Sequence, residues 1–156
     1  MLSQQLHDAI RAFLSSTTER CLLIVGTEID QLSEQARVLQ QQYAWPQLKV
    51  GPELSDMLLT VAPRQRPQRA RDGLVALLPT CAQDPPAPVL CTHIDLLFEP
   101  ALKLDPLRLF CYLGKTTPLV VCWPGKYCDA VLSYAAPDHA HYHVWRNPDV
   151  PIVPLD

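Results

Sequence analysis

Residues 21–39 read CLLIVGTEIDQLSEQARVL. Six residues, Cys21 to Gly26, form an unbroken apolar run ending in glycine, and a polar turn follows. From Ile29 the apolar residues Leu32, Ala36 and Leu39 recur at helical spacing. A continuously apolar strand is what the centre of a parallel sheet requires, because both faces are covered. The stretch therefore predicts strand, tight turn and helix, with Asp30 as the expected N-cap. This is also the outline of a phosphate-binding loop, so its chemistry decides what the fold is for.

A working loop of that kind is G-x-x-x-x-G-K-[ST]. The glycines let backbone N–H groups approach phosphate, the lysine reaches the terminal phosphates, and the hydroxyl helps hold Mg²⁺. With Gly26 as the first glycine, Gln31 stands at the second, Leu32 at the lysine and Ser33 at the hydroxyl. Gly26 and Ser33 fit; Gln31 and Leu32 do not. Glu28 and Asp30 add two carboxylates where phosphate would sit.

Further along, PVLCTHIDLLF reads as a second apolar strand over residues 88–98. An ATPase of this build ends that strand in an acid that holds Mg²⁺. Here Thr92 and His93 occupy those positions, and Asp95 comes too late. Two separate catalytic elements are missing in the expected order, which reads as a vestigial NTPase. ATP with Mg²⁺ is not expected as a cofactor, and hydrolysis is not expected.

The rest of the chain alternates in the same way. Helices are predicted over 2–16, 29–44, 52–61, 66–79 and 103–114, and strands over 46–51, 117–125 and 140–146. In the 117–125 strand Trp123 is expected in the core, with Pro124 and Gly125 turning the chain. Residues 80–88 read as a loop and 147–156 as a proline-rich tail. The expected fold is a single α/β domain over 1–156, P-loop NTPase-like and AAA-like, with three layers: a mainly parallel sheet flanked by helices. The 16 prolines stand mostly at predicted element ends.

Composition sets limits on function. A 48% apolar and 19% charged chain of 156 residues can build a core. A net charge of −3 gives no global basic field for nucleic acid. The amphipathic N-terminus lacks the basic and apolar regions of a leader, and no apolar run would span a bilayer, so a cytoplasmic protein with no membrane contact is expected. Six cysteines contain no C-x-x-C pair, which argues against structural zinc. Cys21, Cys91 and Cys122 lie in apolar runs and are expected to pack as small hydrophobes.

Two local clusters remain. PRQRPQRAR carries Arg64, Arg66, Arg69 and Arg71, four guanidiniums suited to DNA phosphates or an acidic partner, with a solvated face as the alternative. No aromatic is interleaved, which argues against stacking on single strands. DHAHYHVW spaces His139, His141 and His143 at alternate positions, which on a strand would share one face. A surface edge is the expected reading there, and a metal site the alternative.

Several stretches carry a family resemblance: PRQRP at 63–67, LLFEPALKLDPLRL at 96–109, and WPG at 123–125 followed by LSYAAPDHAHY at 132–142. Together with residues 50–78 they resemble BrxF, the small P-loop-containing protein of type 3 BREX phage-defence systems, in order over about residues 22–145. The resemblance implies the fold and an antiviral setting, beside a large ATPase, a DNA methyltransferase and a phosphatase-like protein. In that family the first loop is usually a full Walker A sequence and the second strand usually ends in an acid. This chain departs from both patterns, so the implied role is a non-catalytic adaptor or regulator. DNA and further copies of the chain are candidate partners. The alternatives are a nucleotide-binding regulator of weak affinity and a sequence-independent DNA-binding module.

Overall fold

The strand Cys21–Gly26, β1, is buried at every position and lies in the interior of the sheet. The computed structural model describes residues 3–81 and 87–155. In chain order the other strands are β2 (Gln47–Lys49), β3 (Val89–Thr92), β4 (Leu119–Cys128), β5 (Val131–Tyr134), β6 (His143–Arg146) and β7 (Ile152–Pro154). The main sheet runs β2-β3-β4-β1-β7, and every neighbouring pair along that path is parallel. β1 pairs with β4 from Cys21↔Leu119 to Gly26↔Pro124. Beyond Pro124, β4 changes partner and pairs antiparallel with β5, which pairs with β6.

Alternation along β1 divides the core between the two faces. Leu22 and Ile24 pack with Leu6, Ile10 and Phe13 of α1 (Gln4–Ser15) and with Leu32, Ala36 and Leu39 of α2 (Ile29–Tyr43). Leu23 and Val25 face the opposite layer, built from α3 (Val50–Leu59), α4 (Arg66–Thr80) and α5 (Pro106–Gly114). Helices thus cover both faces of a mainly parallel sheet. Local chemistry sets the helix ends. The Ser3 hydroxyl accepts the Leu6 N–H at the start of α1. Asp105 does the same for Arg108 at α5, with Pro106 in the first turn.

The structure differs from expectation at definite places. The predicted strand 88–98 ends at Thr92, and Asp95–Phe98 forms a 3₁₀ turn. Glu28, not Asp30, occupies the N-cap position of α2, and Asp30 lies in the first turn. Pro124 and Gly125 do not turn the chain; they continue β4, and the reversal falls at Asp129 and Ala130, both with positive φ. The helix expected from 103 starts at Pro106. The tail contributes β7, and β5 arises where no strand was expected. Leu2 and most of the expected loop, 82–86, lie outside the described residues. Among the described residues, no helix is long and apolar enough to cross a membrane.

Trp123 is fully buried as expected, and its indole N–H donates to the Ser133 carbonyl at 2.9 Å. It anchors an aromatic cluster in which Phe98 stacks on Tyr134 and meets Trp123 and Trp145 edge-on.

Candidate functional site

In parallel α/β sheets ligands gather at the carboxyl ends of the strands. Here that edge holds a cavity of about 340 Å³ between α2 and the ends of β2, β3 and β4, within the roughly 300–1,000 Å³ range of small-molecule sites. Leu32, Ala36, Cys122 and Pro124 form an apolar wall. Ser33, Arg37, Lys49, Thr92, His93 and Asp95 line the polar side.

Ile29, Leu32 and Ser33, in the first turns of α2 after Gly26, line this cavity. Only Thr27 and Glu28 separate β1 from α2, so Gln31 and Leu32 already belong to the first turns of the helix. Gln31 is exposed, whereas Leu32 is buried. A Cβ on Gly26 would lie 3.3 Å from Leu155 Cδ1 and 3.4 Å from Leu32 Cγ. Two leucine side chains therefore pack close beside the glycine. Leu155 is held there by its N–H, which donates to the Val25 carbonyl at 2.8 Å.

The end of β3 is a hydrogen-bonded unit. Gln47 Nε2 donates to Thr92 Oγ1 at 2.9 Å, and Thr92 Oγ1 lies 2.9 Å from His93 Nδ1. The Thr92 oxygen thus occupies Nδ1 and leaves Nε2 as the free ring nitrogen of His93. His93 adopts φ 57°, a left-handed conformation costly for a non-glycine residue. Its carbonyl accepts the Gly51 N–H at 2.8 Å, which ties the strand end to the start of α3. Asp95, which comes too late to end β3, lines the cavity from the following turn, and its Oδ1 accepts the Tyr134 hydroxyl at 2.7 Å. Thr92, His93 and Asp95 are thus brought together with Ser33. Sequence reasoning missed Arg37, Gln47 and Lys49, which stand in no motif.

The arginine segment divides. Arg64, Arg69 and Arg71 are exposed, while Arg66 is half-buried and its Nε donates to the Leu58 carbonyl at the end of α3. Among the described residues none of the four is ion-paired to a carboxylate.

The histidines do not share a strand face. Only His143 lies in β6. His139 Nδ1 accepts the His141 N–H at 2.9 Å, so that lone pair is occupied, and the His143 ring packs on Trp145. Among the described residues no group of three histidine, cysteine or acidic side chains is arranged to hold a metal.

Comparison with family models, curated proteins and solved structures gives no match.

Proposed function

We propose that the chain is a P-loop-like subunit that has lost nucleotide chemistry and serves as an adaptor or regulator. The particular setting we propose is a bacterial anti-phage system of the BREX type, in the role of its small BrxF protein. The observation that carries the first step is Leu32, buried beside Gly26 at the position where such a loop needs its lysine. A triphosphate needs backbone N–H groups and a cation at that turn, and the chain offers Leu32 and Leu155. The strand order supports the same reading, with β1 flanked by β4 and β7 and with the ends of β1 and β3 at one edge. The second step rests on the sequence resemblance described above. In this role Arg64, Arg69 and Arg71 offer a basic contact to an acidic partner or DNA, and the partners are the large ATPase, methyltransferase and phosphatase-like proteins of such a system.

A second reading, a regulator retaining weak nucleotide affinity, is favoured by Ser33 and Lys49 lining one cavity. Calorimetric titration with ATP and Mg²⁺ separates the two. The adaptor reading expects no saturable heat at high-micromolar sensitivity; saturable binding overturns it. Co-purification from cells carrying a type 3 BREX system tests the setting. Recovery of its large ATPase or methyltransferase supports it, and recovery of neither overturns it.

A further inference from the structure

We infer that the cavity between α2 and the ends of β2 and β3 binds a compact organic anion, with its charge toward Lys49 and His93 and its flat apolar body along α2. This goes beyond the adaptor reading and does not rest on it.

Charge decides the sign of the ligand. Two cations, Arg37 and Lys49, and one carboxylate, Asp95, line the cavity. Asp95 is engaged by the Tyr134 hydroxyl, and Arg37 by Glu34 on its own helix. Among the described residues no carboxylate lies within ion-pair distance of Lys49. The Tyr134 hydrogen bond does not cancel the Asp95 charge, so the cavity holds one carboxylate turned to Tyr134 and one cation, Lys49, that has no acidic partner among the described residues.

The end of β3 adds a positioned polar group. Thr92, buried at 5% exposure, sits between the Gln47 amide and His93 Nδ1. That contact occupies Nδ1, so Nε2 is the ring atom of His93 left free. The backbone strain at His93 is maintained by the Gly51 N–H. Strain held by surrounding structure at a cavity is a mark of a positioned group.

The apolar wall decides the body of the ligand. Leu32, Ala36, Cys122 and Pro124 supply a surface with no charge, which suits a ring or short branched chain better than inorganic phosphate.

The test uses 8-anilinonaphthalene-1-sulfonate, an aromatic sulfonate whose fluorescence reports binding, and N-phenyl-1-naphthylamine, which keeps the aromatic body and lacks the charge. The full chain is titrated with each, and the unfolding midpoint of every variant is measured alongside. One saturable site for the sulfonate is expected. Lys49→Glu is expected to weaken it at least about tenfold, the scale of one charge-assisted contact. Ser33→Leu, a substitution at an exposed position that narrows the cavity, is expected to weaken both probes. Lys115→Glu, which makes the same charge change at the end of α5, is expected to leave binding unchanged. Absence of a saturable site overturns the inference. So does equal affinity for the neutral probe, or a Lys49→Glu effect no larger than that of Lys115→Glu.

Discussion

The Tyr134 hydroxyl donates to Asp95 Oδ1 at 2.7 Å, joining the end of β5 to the 3₁₀ turn that follows β3. One residue belongs to the sheet and the other to the turn, and Phe98 of that turn stacks on the Tyr134 ring. Tyr134→Phe removes the bond and leaves the ring. We expect a loss of about 1 kcal/mol, the net value of one such bond with a partly hydrated acceptor, read from the midpoint of urea unfolding. An unchanged midpoint would mean that the stacked ring alone holds the turn.

Placing lysine at the position a nucleotide loop requires is not expected to recover nucleotide binding. Leu32 is buried against Gly26 and the α2 face of the core. Leu32→Lys is expected to cost about 3 kcal/mol through lost packing and charge burial, with no ATP binding by calorimetry. ATP binding by this variant would show that the turn needs only the missing cation.

The β4–β5 reversal stores strain that a single change relieves. Asp129 and Ala130 both have positive φ, at 51° and 60°. A two-residue hairpin turn of that kind favours glycine at its second position. Ala130→Gly is expected to raise stability by about 0.5–1 kcal/mol, since the native angles suit glycine better than alanine. Denaturant unfolding measures the gain.

Thiol reactivity follows burial. Cys128 is exposed, whereas Cys21, Cys91 and Cys122 are buried. Burial pushes the Cys122 thiol up from 9.0 to about 12, and the Cys21 and Cys91 thiols also well upward. In the native protein an aromatic disulfide reagent is expected to titrate Cys128 first and these three only on unfolding. The raised values also set the sign of the alkaline response. From about pH 9 the unfolded chain loses thiol protons that the native protein keeps, so stability falls as pH rises. For Cys122 that fall extends to about pH 12, its native value. Tyr134 adds to the fall above its ordinary value of 10.0, because burial, and then its bond to Asp95, hold its proton on. Cys122→Ala is expected to flatten the slope of unfolding free energy against pH. An unchanged slope would remove this thiol from the account.

Arginine replacements are expected to separate by location. Arg66→Ala frees the Leu58 carbonyl at the α3–α4 corner and is expected to cost about 1 kcal/mol. Replacing Arg64, Arg69 and Arg71 together by alanine is expected to shift stability by under about 0.5 kcal/mol while abolishing salt-sensitive retention on a polyanion matrix. Retention that survives the triple replacement places the basic contact elsewhere.

The alternation of apolar strands and amphipathic helices made the layered α/β plan legible, because β1, α2 and the start of β4 each show one clean period. Legibility failed where one signal has two causes. Residues 94–98, IDLLF, continue the apolar run of β3, yet Asp95–Phe98 form a 3₁₀ turn; a short apolar run does not distinguish the two. The tail looked irregular because of its prolines, but β7 lies at the edge of the main sheet, where proline is tolerated. Pro124 misled in the same way, since it stands where β4 passes from one partner to another. Of the site, Ser33, Thr92 and His93 were legible from their place relative to the strands. Arg37, Gln47 and Lys49 were not, because only the packing of α2 over the strand ends gathers them.

The strand order also determines how the protein is made. Of these strands β1 is the first to leave the ribosome, and its partners β4 and β7 begin only at Leu119 and Ile152. During synthesis the run CLLIVG has no ladder on either side until most of the chain has emerged. Such non-local pairing is slow, and an unpaired apolar strand is open to association with other chains. The nascent chain is therefore most vulnerable over the interval between β1 and β4, and factors that shield apolar segments during translation would raise its yield more than faster folding of any helix.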